Sequence, residues 1–372
     1  MADTDDGRIR VAVLGAGGLG KAAARLIGAK RELKLCGMCD SKGLLVSPEG
    51  LETEVLASFS GDLVDSYRAA ATHQHAEANG GVQVATAVMG STSFGRSPRS
   101  RASEASRGIE ARHCDDPLGA MVEMADQFDA MLVALPNLPN EFIPGVIERF
   151  ARANASLVFV DVLKRTTAVQ QMFALDPFIK RCGSVVLTGC GATPGMLAAA
   201  AVLAAQSFVE VEKVDIWWGV GIANWDAYRA TIREDIAHLA GYSVERAKAM
   251  SDADVEALLE RTDGLLELRH MEHADDVLLE RVGVVDRPEQ VEVGGVMDTR
   301  HPQKPVSTTM TLTGITIDGT RSSHKFILGD ETTMAANVIG PALGYLKRGL
   351  WLKARGLFGV FGSTEFLPMV VR

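Results

Sequence analysis

A chain of 372 residues has the length of two domains, and 47% hydrophobic with 23% charged residues is the composition of a soluble globular protein. A net charge of −9 argues against a general nucleic-acid binder. The acidic start, Met1 to Asp6, is no secretory signal, and the longest apolar stretch, 196–205, is too short for a bilayer, so a cytoplasmic protein with no membrane partner is expected.

The apolar run Val11–Leu14 predicts a first strand over 9–14. It meets Gly15-Ala16-Gly17-Gly18-Leu19-Gly20, and a helix is predicted over 18–29. In a dinucleotide site Gly15 makes the strand-to-helix turn, Gly17 admits a pyrophosphate, and Gly20 packs helix on strand. The N–H groups and dipole at the helix start then hold the anion. A second strand, 34–39, ends at Asp40, about 20 residues beyond the glycines, where a carboxylate bonds the adenosine ribose. A carboxylate there repels a 2′-phosphate, which favours NAD. Lys42, beside Ser41 in the same turn, offsets part of that repulsion and keeps NADP as the alternative. Cys36 and Cys39 have CxxC spacing but no second Cys/His pair, and the eight histidines form no convincing zinc pattern. Buried, reduced strand thiols and no metal site are expected, and the five scattered cysteines agree with a reducing compartment.

Residues 49–77 read as mostly helical and 82–87 as a strand. The Ser/Gly/Pro/Arg-rich 91–108, with Arg96, Arg99, Arg101 and Arg107, reads as a loop. Then follow a helix over 118–128, a strand over 129–135, a helix over 140–152, a strand over 157–161, a helix over 167–181 and a strand over 185–188. Continuous apolar strands alternating with helices predict an α/β Rossmann fold, a doubly wound parallel sheet covered on both faces. The second half changes character. A strand is predicted at 211–220, and 291–296, 308–317 and, more loosely, 321–328 show period two, with helical runs at 227–240 and 243–268. They predict a second, inserted α+β domain with a mostly antiparallel sheet. The apolar helix 332–346 is expected to return to the first domain. The expected division is 1–192 for dinucleotide binding, 193–330 for substrate and dimerisation, and 331–372 returning.

In such sheets ligands bind beyond the carboxyl ends of the strands. Leu135-Pro136-Asn137 falls there, with Asn137 offering an amide near the nicotinamide ribose and Asn140 capping the next helix. After the following strand come Asp161 and Lys164. Lys164 is the candidate for proton transfer, if burial lowers its pKa, or for binding a substrate carboxylate. Asp161 is the candidate to orient it or to bind a substrate amine. After the next strand, Gly191 and Gly195 admit a ligand, Thr193 caps a helix and Pro194 sits in its first turn. In the inserted domain Trp225, Asp226, Tyr228 and Arg233 are candidate substrate contacts, Arg233 as a bidentate carboxylate clamp, with His238, His301 and His324 behind them.

The glycine motif, Gly191-Ala-Thr-Pro-Gly195 and Gly362-Ser-Thr-Glu-Phe-Leu-Pro368 resemble the saccharopine dehydrogenase-like reductases. Cys39 to Leu44 and the placement of Lys164 resemble homoserine dehydrogenase. Leu163 stands where the latter has asparagine, and Thr364 where the former has proline. The resemblance implies a homodimer and an NAD(P)-dependent oxidoreductase. It would move hydride between nicotinamide and a carbonyl, imine or secondary amine of a small amino-acid-like substrate. The rival reading is a dinucleotide-binding redox sensor or scaffold that uses 91–108 to bind a partner.

Overall fold

The computed structural model describes residues 7–70, 108–136, 139–222, 229–329 and 334–372. The expected strand at 82–87, the loop 91–108 except its last residue, Asn137, Trp225, Asp226 and Tyr228 lie outside the described residues.

The first sheet is built from β1 (Ile9–Leu14), β2 (Leu33–Cys39), β3 (Gly43–Val46), β4 (Glu110–His113), β5 (Ala130–Val133), β6 (Val158–Asp161), β7 (Val185–Thr188) and β13 (Gly359–Gly362), in the order β13-β7-β6-β5-β1-β2-β3-β4. From β13 to β2 every pairing is parallel. Each of β5, β6 and β7 is an unbroken buried run, because helices cover both faces and leave no polar side. Separate apolar cores fill the two faces. The order reverses at β1, which lies between β5 and β2. The carboxyl ends of the strands at that reversal, where Gly15 follows β1, are the usual ligand position in such a sheet.

Three details depart from the sequence reading. β3 and β4 extend the sheet antiparallel beyond β2, and Asp40 closes the β2–β3 turn. The helix expected over 167–181 is two, Thr166–Ala174 and Asp176–Arg181, because Pro177 has no N–H to continue the first. β13 was not foreseen as a strand.

The second sheet takes β8 (Glu210–Gly221), β9 (Leu265–Leu268), β10 (Val291–Asp298), β11 (Thr308–Ile315) and β12 (Arg321–Leu328) in the order β12-β11-β8-β10-β9. Only β8–β10 is parallel. Burial alternates along β11, where Met310 and Leu312 lie in a third core and Thr309, Thr311 and Thr313 beside them are half-buried. The chain thus leaves the first sheet after β7, builds the second, and returns through the helix Met334–Lys353. Ile339, Leu343, Tyr345 and Leu346 of that helix lie in the first sheet's core. No helix among the described residues is long and apolar enough to cross a membrane.

Candidate functional site

The glycine turn divides by what surrounds it. Gly15 has φ +110°, and a Cβ there would lie 2.4 Å from the Ala134 carbonyl oxygen. A Cβ on Gly20 would lie 2.0 Å from the Gly15 carbonyl oxygen, so both glycines serve packing. A Cβ on Gly17 would meet nothing within 4 Å, and Gly17 and Gly18 are exposed while Ala16 and Leu19 pack on the core. The helix Gly18–Gly28 that starts here has no side-chain cap and no acidic residue in its first turn. Open space at an uncapped helix N-terminus fits an anion such as a dinucleotide pyrophosphate. Asp40 sits at the β2 end as expected. Its Oδ1 accepts from the backbone N–H of Lys42 at 2.8 Å and of Gly43 at 2.9 Å, and these bonds engage that oxygen alone. Ser41 and Lys42 are exposed beside it, and Leu135 and Pro136 follow β5 on the same edge of the sheet.

Beyond β6 the residues take different roles from those expected. Asp161 is wholly buried. Its Oδ1 accepts from Leu163 N at 3.0 Å, Thr188 Oγ1 at 3.0 Å and Gly189 N at 2.9 Å, while Oδ2 has no partner. It fastens the end of β6 to that of β7 and does not hold Lys164. Burial, opposed by these bonds, pushes its carboxyl up to about 6. Lys164 Nζ instead lies 3.0 Å from Asp235 Oδ1 and 3.5 Å from Glu234 Oε2. Burial works against the ammonium, but the two carboxylates outweigh it and hold the group well above the usual lysine range. The shift runs opposite to the lowering on which the proton-transfer role of Lys164, one of the two the sequence suggested, depended.

Arg165 completes the cluster. Its Nε donates to Asn140 Oδ1 at 2.8 Å and its Nη2 to Glu272 Oε2 at 2.5 Å. Glu272 Oε1 in turn accepts from Thr167 N and Oγ1 at 3.2 and 3.1 Å. The loop after β6 supplies the cations. The helix Arg229–Ile236 and the segment after β9 supply the carboxylates, so the cluster bridges the two domains. His238 lies in the same field, its pKa lowered by burial and by the charges of Lys164 and Arg165.

The turn after β7 also differs from expectation. The helix begins at Met196 with Gly195 (φ +127°) before it, so neither Thr193 caps it nor does Pro194, which follows a cis bond, occupy its first turn. A Cβ on Gly195 would lie 2.0 Å from the Gly191 carbonyl oxygen. The room expected there for a ligand is taken by the turn itself. Thr193 Oγ1 donates to Asp275 Oδ2 at 2.7 Å, and His273 Nδ1 lies 2.7 Å from the same oxygen. Asp275 and His273 are buried, and Ala274 N donates to the Lys164 carbonyl at 2.7 Å. Arg233 is engaged by Asp252 at 2.5 Å and by the Met250 carbonyl at 3.3 Å, not held free as a clamp. His301 bonds Asp298 at 2.9 Å, and His324 packs on Phe208.

Cys36 and Cys39 are buried in β2, where burial raises their thiols to about 11 and about 12. Among the described residues Asp62, Asp65 and His113 bring possible metal-ligand atoms within 4.8 Å of one another. Asp62 caps the helical turn of Val64 and Asp65, and His113 pairs with Asp65 at 3.0 Å, so an exposed cap and ion pair account for the trio.

No protein-family model matches the chain. A curated protein of Haloferax mediterranei, (S)-8-amino-7-oxononanoate synthase BioU, is 42% identical over 373 residues, covering 97% of this chain and 99% of its own. The chain belongs to the BioU family. That identity overturns the resemblance to saccharopine and homoserine dehydrogenases, which rested on a glycine turn common to many folds and on short loop motifs. Among solved structures, Corynebacterium glutamicum DAP dehydrogenase in complex with DAP superposes with a TM-score of 0.51 at 16% identity, covering 96% of this chain and 94% of that one. Such a likeness speaks for the fold, a Rossmann sheet with an inserted domain.

In this BioU-family chain the sequence reading singled out Lys164 but not the carboxylates that pair with it. Glu234 and Asp235 follow directly on Arg233, which was singled out, yet it is they that reach Lys164. The available signal in the sequence was an adjacent acidic pair between Ile232 and Ile236; the structure buries all four, the two acids at 6% and 3% side-chain exposure. His273 and Asp275 carried none, because their role depends on contact with the turn after β7.

Proposed function

We propose that the chain is an NAD(P)-dependent oxidoreductase acting at the amino–ketone end of 8-amino-7-oxononanoate, as substrate or product, the compound in the name of its Haloferax relative. The observation that carries this reading is the pairing of two features on one sheet edge. One is the open, uncapped helix start at Gly17; the other is the buried ionic cluster of Lys164, Arg165, Glu234 and Asp235 beyond β6. The turn from Gly15 to Gly20 would hold a pyrophosphate, Asp40 the adenosine ribose, and Leu135, Pro136 and Asn137 the nicotinamide side. When bound, the nicotinamide supplies or accepts hydride. Lys164, kept as an ammonium, donates a hydrogen bond to the substrate's carbonyl oxygen, and closure of the domains excludes water. Asp40 favours NAD over NADP.

Calorimetry with NAD, NADH, NADP and NADPH tests the cofactor, with Asp40→Ala alongside. Tight NAD binding that shifts toward NADP in the variant supports the reading, and no binding of any of the four sinks it. Nicotinamide absorbance on adding 8-amino-7-oxononanoate then tests turnover. A homodimer is part of the same proposal, since β12 is an edge strand with Arg321 to Ile327 exposed. Sedimentation at rising protein concentration tests it, and a monomer mass throughout removes it.

A further inference from the structure

Two buried polar atoms in the ionic cluster have no hydrogen-bond partner: Arg165 Nη1 and Glu234 Oε1. They lie 3.9 Å apart on side chains 8% and 6% exposed. The rest of each group is committed. Arg165 Nε and Nη2 are held by Asn140 and Glu272, and Glu234 Oε2 lies 3.5 Å from Lys164 Nζ. The unused N–H groups of Nη1 and the unused lone pairs of Oε1 therefore face each other across a distance too long for their own bond. Leaving such groups unpaired in a protein interior is costly, and native sites that do so are commonly completed by something else. Charge points the same way. Among the described residues the cluster holds the cations Lys164 and Arg165 against the carboxylates Glu234, Asp235 and Glu272, an excess of one negative charge.

We propose that this gap recognises a vicinal amino ketone, with the ligand's ammonium donating to Glu234 Oε1 and its ketone oxygen accepting from Arg165 Nη1. An α-amino ketone presents a cationic donor and an acceptor on neighbouring carbons, the complement of what the two residues offer. It also supplies the missing positive charge. This deepens the functional reading above and rests on it for the ligand's identity. Arg165 comes from the first sheet's loop and Glu234 from the inserted domain's helix. Parting of the two domains admits the ligand, and closure pairs both atoms. A ketone without the amine leaves Glu234 uncompensated, and an amine without the ketone leaves Arg165 unpaired. A buried site built to hydrogen-bond a group rejects the analogue that lacks it.

The test is calorimetry on the full chain with saturating dinucleotide, using 8-amino-7-oxononanoate, 7-oxononanoate and 8-aminononanoate. The wild type is expected to bind the amino ketone at least about tenfold more tightly than either analogue, the scale of one lost hydrogen bond to a charged group. In Glu234→Gln the preference over 7-oxononanoate should largely vanish, and in Arg165→Met the preference over 8-aminononanoate should fall to what the Lys164 hydrogen bond alone supplies. Unchanged dinucleotide affinity reports that each variant is folded. If the variants do not fold, the wild-type series decides alone, and equal affinity for all three ligands overturns the inference. So does a Glu234→Gln protein that keeps its full discrimination. Turnover of 8-amino-7-oxononanoate without discrimination would leave the functional reading standing and this inference fallen. Dinucleotide binding with no affinity for any of the three would remove both the inference and the assigned substrate.

Discussion

Asp161 keeps one bonded and one unpartnered oxygen in a fully buried position, and burial raises its carboxyl from 3.8 to about 6. The folded chain therefore holds this proton more tightly than the unfolded chain. Its contribution to stability is fully present below the unfolded value and is lost as pH rises through the folded one. Asp161→Asn keeps an acceptor for Leu163, Thr188 and Gly189 without the ionisation. The Tm of the variant relative to wild type should rise between about pH 4 and about pH 7, whatever the constant offset from the new amide. A pH-independent difference would refute this. The glycines give a second contrast. Gly17→Ala should leave Tm nearly unchanged and weaken dinucleotide binding, because the added methyl occupies only open space. Gly20→Ala should destabilise by about 1–3 kcal/mol in urea unfolding, because the methyl meets the Gly15 carbonyl. The packing roles of Gly15 and Gly20 were legible in the sequence, since a turn and a helix start are local. The state of Lys164 was not, because the carboxylate that fixes it lies 71 residues away.

At the level of elements, the segment Thr193 to Asp275 shows where local reading fails. Thr-Pro-Gly before an apolar run carries the signature of a capped helix start, and the helix does follow. Yet Thr193 spends its hydroxyl on Asp275, whose other oxygen has no partner. Thr193→Val removes that donor from a buried carboxylate and should cost about 1–3 kcal/mol by urea denaturation. The loss should be smaller in a background already carrying Asp275→Asn, and additive losses would show that the bond contributes nothing. The parallel strands were readable because β5, β6 and β7 are apolar up to their last residues, Asp161 in β6 and Thr188 in β7. β3 was not, since Gly43 to Val46 looks no different from a loop until Asp40 turns the chain back on β2.

For the whole molecule, the return of the chain to the first sheet is the main organising fact. The apolar helix after 332 was foreseen. β13 was not, because Gly359-Val-Phe-Gly362 is short and glycine-flanked, and only pairing with β7 makes it a strand. Its value lies in what it completes. Val360 is buried in the core, Tyr345 donates to the Ser363 carbonyl at 2.7 Å, and Arg372 is tied through its backbone to Glu32 beside β2. Truncation after Leu357 should therefore lower Tm far more than loss of an exposed tail would. An unchanged melting curve would mean that β13 is dispensable.

That closure also sets an order of assembly during synthesis. β8 to β12 are all made before β13, whereas the first sheet awaits β13 to complete it. Until β13 is made, β7 offers an unpaired backbone edge to neighbouring nascent chains. The first sheet, begun before the second, is thus finished after it, and a translational pause between β12 and β13 would prolong its exposure to aggregation.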